Sequence, residues 1–448
     1  MNYKKTTSIF EILECFQING LSQSQILSIA FQCGFMKRAS KKINATDFLA
    51  SLCSISVEEG TASYNNMASR FYSSSNIIAS KQAFWKKVDT PCIVFFKAIL
   101  ERIIKLKINT TEFSAINKKC SYKRILVQDS TIIKLPTHLF KKFSGARNRH
   151  SAVCNARIQG VYDLLSGCFV SFSIDPYSKN DILAASEIEL QEGDLVLRDR
   201  GYYLNDEIQR HIDNGADCIY RYKHKTQFLN SITEKPIDLL KELEKNKELD
   251  IVVLLNNKDR TKVRLVAVPV NEEIGNKRRM KAKKESKSKK NTSEEVLKLM
   301  SWTIFITTIS SDKSDFKELM AMYRLRWRIE VLFKIWKSYL KFGNIHNVSE
   351  CQLNAILLSR FIMIVLYVNI FFQPFYLKIR KQYGKFLSIM KLVNYLVVNP
   401  NSITEIIEIG KQKSQLQEEI LKPILKYCTY DSRKRLNYCQ LFELAFLS

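Results

Sequence analysis

The segment from Tyr122 to Lys223 constrains the fold more than any other part of the chain, because its apolar pattern alternates between strand and helix. Three runs rich in branched and aromatic residues, each bounded by turn formers, predict strands: ILVQD, NARIQGVYD and CFVSFSID. Four further elements follow, namely a helical pattern at 179–189, the strand DLVLRD, a helix at 204–214 and the strand CIYRYK. This order predicts an α/β core.

The same order of elements is that of a ribonuclease-H-like core. Residues 224–310 interrupt it with three more strand patterns, DIVVLL, VRLVAV and WTIFITT. We therefore predict an α/β fold with a ribonuclease-H-like catalytic core over residues 121–345 and a β-rich insertion, a β subdomain, at about 224–310.

Helical apolar periods flank the core on both sides. The first begins with apolar residues at i, i+3, i+4 and i+7: Ile9, Ile12, Leu13 and Phe16. We predict a helical domain over residues 1–120 and a helical C-terminal region over 346–448. For residues 1–120, the sequence alone leaves packing and dimerisation open as roles.

The chain is strongly basic, with 70 Lys and Arg against 44 Asp and Glu and a net charge of +26. This balance favours a polyanionic partner such as DNA, although Lys-rich proteins of other classes share it. Residues 277–290, KRRMKAKKESKSKK, have no apolar face and predict a solvated, disordered loop. A second reading gives this run nonspecific contacts with DNA phosphates.

The cysteines and apolar runs point to the cytoplasm. The 11 cysteines are scattered without a CxxC pair, which is typical of a reducing compartment and excludes a zinc knuckle. The N-terminus has no uninterrupted apolar run of a signal peptide. The most apolar segment, Phe361 to Phe372, is too short to span a bilayer and predicts a buried helix, so no membrane partner is expected.

The stretch YRLRWRIEVLFKIWK, from Tyr323 to Lys337, predicts one helix with two different faces. At about 100° per residue, one face carries a phenol, an indole, a carboxylate and two cations, from Tyr323, Trp327, Glu330, Arg326 and Lys337. The opposite face is apolar and consists of Leu325, Ile329, Leu332, Trp336 and Leu340. A carboxylate between two cations is typical of a site where the carboxylate binds a metal and the cations bind phosphate. Arg326 and Glu330 also have the i, i+4 spacing of an ordinary ion pair on a helix surface.

Candidate carboxylates also close predicted strands. Asp129 ends ILVQD and Asp199 ends DLVLRD, where side chains stand on a rigid scaffold. Asp163 and Asp175 end apolar runs as well, and a single aspartate at such a place is more often a turn former. Position alone does not choose among these four residues.

The spacing Tyr-x2-Arg-x3-Glu-x6-Lys of Tyr323, Arg326, Glu330 and Lys337 resembles the signature of a bacterial transposase family. This family comprises the cut-and-paste DDE transposases of the insertion-sequence-4 (YREK) type. The fill RWRIE is similar to that of its members, and DSTIIKL from Asp129 and DRGYY from Asp199 resemble its two aspartate motifs. The resemblance covers about 122–223 and 300–340.

This resemblance implies a catalytic triad of Asp129, Asp199 and Glu330. Three carboxylates without a His or Cys cluster suit hard cations, so Mg²⁺, or Mn²⁺ in its place, is expected, with two ions serving an in-line displacement at phosphorus. The family's contacts with the DNA phosphate near the cut end imply the same role for Tyr323, Arg326 and Lys337.

Two tryptophans handle a flipped base in relatives that form a hairpin at the transposon end, and Trp327 and Trp302 stand at matching places. Stacking on an indole would hold such a base, whereas core packing explains Trp302 equally well.

The resemblance implies an enzyme that excises an insertion sequence and transfers its strands. It also implies that residues 1–120 are a DNA-end-binding domain. Expected partners are transposon ends and target DNA, with a homodimer in the synaptic complex and a cytoplasmic, nucleoid-associated location in a bacterium. A nuclease of the same fold and a catalytically silent DNA-binding protein remain alternatives.

Overall fold

The structure is a computed structural model of the 448-residue chain. It describes residues 8–38, 42–56, 63–108, 120–145, 153–286, 293–339, 342–399, 401–411, 418–431 and 436–446. The chain forms two compact units. The first unit consists of Met1–Lys118, Ser130–Lys179 and Arg328–Asn437, and the second of Lys119–Asp129, Asn180–Trp327 and Tyr438–Ser448.

Six α-helices lie in the described residues of the first unit that precede the first strand. They are α1 (Ile9–Ile18), α2 (Gln23–Gln32), α3 (Ala45–Ser56), α4 (Tyr64–Ser75), α5 (Lys81–Trp85) and α6 (Thr90–Ile108). Ser8 and Ser22 start α1 and α2 with capping boxes that satisfy exposed backbone N–H groups. A cluster of phenylalanines forms the core between them, with the rings of Phe35 and Phe95 stacked at 4.9 Å.

Nine strands are present in the part of the chain that the structure describes. They are β1 (Arg124–Lys134), β2 (Asn155–Asp163), β3 (Cys168–Pro176), β4 (Asp194–Arg198), β5 (Asp217–Arg221), β6 (Phe228–Asn230), β7 (Leu249–Leu255), β8 (Lys262–Pro269) and β9 (Trp302–Thr307). The strand order is β3-β2-β1 in the first unit and β1-β4-β5-β9-β8-β7-β6 in the second, with β1 running through both. The core strands predicted from sequence are therefore present.

The insertion extends the sheet of the second unit. Strand β9 pairs antiparallel with both β5 and β8, and β8 pairs with β7. Sequence analysis predicted a β subdomain here, whereas the insertion strands continue the sheet of β4 and β5. The insertion joins the sheet because the side chains of β9 are apolar and largely buried, and its backbone pairs with the edge of β5.

Six α-helices precede residue 327 in the described part of the second unit. They are α7 (Asp181–Ala185), α8 (Asn205–Asp213), α9 (Leu239–Lys245), α10 (Glu272–Ser286), α11 (Glu294–Leu299) and α12 (Phe316–Leu325). The predicted disordered loop at 277–290 is wrong for residues 277–286, which belong to α10, while 287–290 lie outside the described residues. Arg278 fixes α10 by donating to the carbonyl oxygens of Met300 and Trp302, so an apolar face is not needed.

The predicted single helix over Tyr323–Lys337 is two helices. Helix α12 ends at Leu325 and α13 (Trp327–Tyr339) begins after Arg326, whose N–H donates to the Tyr323 carbonyl at 3.2 Å. This i→i+3 bond tightens the last turn and breaks the helix. The predicted apolar face is correct for Leu325, Ile329, Leu332 and Trp336, which are all buried, and Leu340 lies outside the described residues.

The C-terminal region is helical where it is described. Its helices are α14 (Glu350–Tyr367), α15 (Gln373–Tyr383), α16 (Ile389–Val398), α17 (Asn401–Lys411), α18 (Glu418–Tyr427) and α19 (Tyr438–Phe446). A short π-helix, Val368–Phe372, joins α14 and α15. In the second unit, α19 packs against α12.

Helices α14 and α15 and the π-helix between them form a continuous helical span of 34 residues, Glu350–Tyr383. The apolar segment from Phe361 is too short by itself to cross a bilayer, whereas this span has the necessary length, and its most apolar 18-residue window has a mean hydropathy of 2.2. Its most apolar window is 89% buried inside the protein. The span is therefore a core helix in this structure, as the sequence predicted, although longer.

Candidate active site

Strands β1 and β4 bring two aspartates to the same place in the second unit. The strands are parallel neighbours, with Gln128 opposite Arg198. One residue further along each strand are Asp129 and Asp199, whose backbones the register places about 5 Å apart. Gln128 and Arg198 are buried, so the alternation of side chains turns Asp129 and Asp199 toward the opposite face of the sheet.

Asp129 does not close its strand, contrary to the sequence prediction. Strand β1 continues to Lys134, because STIIK keeps a strand pattern beyond the aspartate. Asp199 directly follows β4, as predicted, and stays extended with φ −74° and ψ 161°.

The other two strand-end aspartates serve local structure. Asp163 accepts from the N–H groups of Leu165 and Ser166, and Asp175 pairs with Lys179 at 2.9 Å.

Tyr323 on α12 contacts Asp199. Its hydroxyl donates to Asp199 Oδ1 at 3.4 Å, and its side chain is buried. Burial raises the pKa of Tyr323 to about 12, with the neighbouring Arg326 opposing the rise and Asp199 adding to it. The phenol is therefore protonated at neutral pH and acts as a hydrogen-bond donor.

Arg326, at the break between α12 and α13, contacts the other aspartate. Its Nη1 lies 3.2 Å from Asp129 Oδ2, and both side chains are largely shielded, with 12% and 19% exposed. The guanidinium also lies 5.8 Å from the centre of the Tyr323 ring. Two residues of the four-residue signature thus hold the two aspartates.

The other two signature residues belong to the first unit. Glu330 stands in the first turn of α13 and is half-buried. Lys337, two turns later, donates to the Ile132 carbonyl of β1 at 2.9 Å, and partial burial lowers the pKa of its ammonium. The structure describes both residues within their own unit.

A cationic cleft of about 430 Å³ opens beside Asp199 in the second unit. Its lining includes the side chains of Arg200, Arg221, Tyr222, His224, Arg278, Lys281 and Trp302. Burial lowers the pKa of Arg278, and the nearby charge of Arg221 lowers it further. The guanidinium groups of Arg221 and Arg278 repel each other in this cleft. A bound phosphate would reduce this repulsion, because its negative charge attracts both groups.

The two candidate tryptophans have different surroundings. Trp302 begins β9 and is part of the cleft wall, where its backbone carbonyl accepts from Arg278 at 2.9 Å. Trp327 begins α13 and is 60% exposed. Trp327 is therefore accessible to a ligand, and Trp302 faces an open cleft in addition to packing in its strand.

Sequence reasoning missed the buried network behind Asp199. Arg198 is fully buried and donates to Glu207 Oε1 at 2.7 Å, to the Tyr220 hydroxyl at 3.0 Å and to the Ala185 carbonyl. Burial raises the pKa of Tyr220, and it lowers the pKa of His211 to about 3. The sequence did contain a signal for this network, because Arg198 lies in the apolar strand DLVLRD and a buried arginine requires a buried partner.

The donor atoms suit a hard divalent cation. Asp129 and Asp199 offer carboxylate oxygens, the ligands that Mg²⁺ and Mn²⁺ prefer. Over the described ranges, no group of three or more His, Cys, Asp and Glu side chains is assembled to hold a metal ion. Arg326 and Tyr323 instead bond one oxygen of each aspartate. The pair fits a cation chemically and needs a further carboxylate to complete a three-carboxylate site.

Comparison with known families gives a match over the core. A family described as "Transposase DDE domain" matches residues 121–366, more than half of the chain. The matched range contains both aspartates, the four signature residues and both tryptophans.

Several curated transposases are similar along most of the chain. The transposase for insertion sequence element IS1151 of Clostridium perfringens is 27% identical over 394 residues, which is 83% of this chain and 82% of that protein. The transposase for IS231B of Bacillus thuringiensis subsp. berliner is 24% identical over 367 residues, or 77% and 76% of the two chains. The transposase for IS231F of Bacillus thuringiensis subsp. israelensis is 25% identical over 415 residues, or 87% and 86%.

Among solved structures, the piggyBac transposase synaptic complex with hairpin DNA is similar with a TM-score of 0.44 and 10% identity. The match covers 96% of this chain and 87% of that chain. A likeness of this size does not establish a common fold.

Proposed function

The chain belongs to the DDE transposase family and is a DNA transposase, and from this premise we propose that it excises an insertion sequence and joins it to target DNA in the manner of the insertion-sequence-4 (YREK) type. The observation that carries the proposal is the pairing of Tyr323 with Asp199 and of Arg326 with Asp129. It brings two residues of the signature into contact with the two aspartates that separate sequence motifs selected.

The catalytic group that we propose is Asp129, Asp199 and Glu330 on a ribonuclease-H-like core. The aligned positions of the two aspartates in β1 and β4 support it, and Glu330 follows Arg326 by four residues in the chain. DDE enzymes depend on divalent metal, and two Mg²⁺ or Mn²⁺ ions would activate the attacking oxygen and stabilise the leaving one. Asp129, Asp199 and Glu330 would hold these ions through their carboxylate oxygens.

Tyr323, Arg326 and Lys337 are proposed to hold the DNA phosphate beside the cut. Each is a hydrogen-bond donor in the structure, and guanidinium and ammonium groups form charge-assisted hydrogen bonds with phosphate oxygens. Binding of the phosphate would move the Arg326 guanidinium from Asp129 to the DNA, and the Asp129 oxygen that it now contacts would become available to a cation. The pairing seen in the structure is then a resting arrangement of the site.

Trp302 and Trp327 are proposed to receive a base that leaves the duplex during hairpin formation. The exposure of Trp327 and the position of Trp302 in a cationic cleft support this role. The Trp327→Ala variant should reduce hairpin yield roughly 10-fold while first-strand nicking is nearly unchanged, because it removes a base stack of about 1–3 kcal/mol. Denaturing gels of both products measure the ratio. Equal loss in both steps would assign Trp327 to helix placement instead.

DNA ends and target DNA are the partners, and a homodimer is proposed for the synaptic complex. The net charge of +26 supports a polyanionic partner. Residues 1–120 are proposed to bind the ends, 121–345 to carry the chemistry and 346–448 to support it, in a bacterial cytoplasm beside the nucleoid.

A strand-transfer assay tests the function. Purified protein, Mg²⁺ and a duplex bearing the inverted repeats that flank the gene are incubated with a supercoiled target plasmid. We expect 3′-hydroxyl ends joined covalently to the plasmid. Cutting without joining would indicate a nuclease of the same fold, and binding without cutting a silent DNA-binding protein.

A further inference from the structure

Helices α1 and α2 are joined as a helix-turn-helix unit. Four residues separate the end of α1 at Ile18 from the start of α2 at Gln23. Gly20 has a φ of +82°, in the left-handed region that favours glycine. Leu21 is 1% exposed, and its N–H donates to the Phe16 carbonyl at 3.0 Å, which closes the turn. A short turn with glycine is typical of this motif.

The inner faces of both helices are committed to one core. Helices α1 and α2 each pack against α3. The buried residues between them are Ile12, Phe16, Leu21, Ile26, Ala30, Phe48, Leu49 and Leu52. Because Ser22 also caps the start of α2 through a capping box, the second helix is held at both its start and its inner face.

The outer face of α2 carries neutral hydrogen-bonding groups and one exposed ring. Ser24, Ser28 and Gln32 are exposed, and Phe31 is 44% exposed. At about 100° per residue these four side chains fall within roughly 100° of one another, so they form one stripe along the helix. Amide and hydroxyl groups pair with base edges, and a phenyl ring contacts the thymine methyl group.

Cations flank the C-terminal end of this stripe. Lys37 and Arg38 are exposed just after α2. The ammonium of Lys87 lies 5.1 Å from the centre of the Phe35 ring, and Lys86 beside it is exposed. Neutral groups on the helix with cations at its edge match the groove of duplex DNA, where phosphates border the bases.

We propose that α2 is a recognition helix that enters the major groove at the transposon end and reads base pairs through Ser28, Phe31 and Gln32. A helix about 10–12 Å across fits the major groove, which is about 12 Å wide. This inference rests on the proposed function, because it assumes that the chain binds specific ends, and it adds which residues select them.

Competition binding with the full-length protein tests the proposal. One probe is a duplex carrying the flanking inverted repeat, and the other has the same length and composition in scrambled order. The double variant Ser28→Ala, Gln32→Ala should bind the repeat about 10-fold more weakly and the scrambled duplex as well as the wild type does. Gln17→Ala, an exposed substitution on α1, is the matched control and should behave as the wild type.

A second readout keeps the result independent of folding. The Gln32→Ala variant, offered repeats with each base pair randomised in turn, should lose its preference at one or two adjacent positions only. Unchanged preference everywhere, or equal loss on both probes, would overturn the assignment of α2. A change in sedimentation without a change in end selection would make the face a dimer contact and overturn it as well.

The two proposals fail in different ways. A wild type that selects the repeats through α2 but never joins them to a target would sink the proposed reaction and leave the recognition helix standing. A wild type that joins ends while the α2 variants select them normally would do the reverse.

Discussion

At the scale of single residues, Arg326 links the two halves of the proposed chemistry. It bonds Asp129 at 3.2 Å and stands directly before α13, the helix that bears Glu330. A cation that neutralises a metal-binding carboxylate competes with the metal for it. The same guanidinium is the proposed clamp for the DNA phosphate, so its removal should have opposite effects on metal binding and on the reaction.

We therefore predict that Arg326→Ala lowers the Mg²⁺ concentration needed for half-maximal cleavage and slows single-turnover cleavage about 100-fold or more. Titration of Mg²⁺ in a single-turnover assay on the transposon end gives both quantities. Arg324→Ala, at an exposed position two residues earlier, is the control and should change neither. An unchanged or higher Mg²⁺ requirement in Arg326→Ala would mean that the ion pair does not restrain Asp129.

Sequence motifs supplied the candidate residues of the site but did not place all of them correctly on strands and helices. The fill after Asp129 and Asp199 separated these residues from Asp163 and Asp175, whose carboxylates the structure shows in a turn and an ion pair. Their side-by-side register depends on strand pairing, a long-range property that local patterns do not encode. The pairing of Arg326 with Asp129 was invisible for the same reason, since 197 residues separate the two.

At the scale of elements, α10 shows why charge composition alone misleads. The run from Lys277 lacks an apolar face, yet Arg278 and Arg279 anchor it to the residues just before and at the start of β9 through backbone and hydroxyl acceptors. Those acceptors are distant in sequence, so disorder was the natural reading of the composition. The helix presents its remaining lysines from a fixed surface of the second unit.

Neutralising Lys281, Lys283 and Lys284 together by substitution with Gln should make the salt dependence of DNA binding shallower. Each DNA phosphate that the variant no longer neutralises reduces the slope of log K against log salt by about 0.9. Titrations from low to moderate salt measure the slope, and circular dichroism checks that the helix remains. A wild-type slope in this variant would remove α10 from the DNA interface.

At the scale of the whole molecule, the order of strands and helices from Tyr122 to Lys223 was readable because each element has a clear apolar period. The continuation of the sheet into the insertion could not be predicted, since β9 pairs with β5 although 80 residues lie between Arg221 and Trp302. The division into two compact units also crosses the predicted boundaries, because Ser130–Lys179 groups with the N-terminal helices. Packing between distant segments decided both features.

The central claim is that Asp129, Asp199 and Glu330 act together at one metal-dependent site of a transposase. Cleavage of a labelled transposon end in Mg²⁺ by Asp129→Ala, Asp199→Ala and Glu330→Ala, with end binding measured in parallel, tests it most directly. We predict that each variant binds the end as the wild type does and cleaves it at least about 100-fold more slowly. Cleavage near the wild-type rate by any one of the three would contradict it.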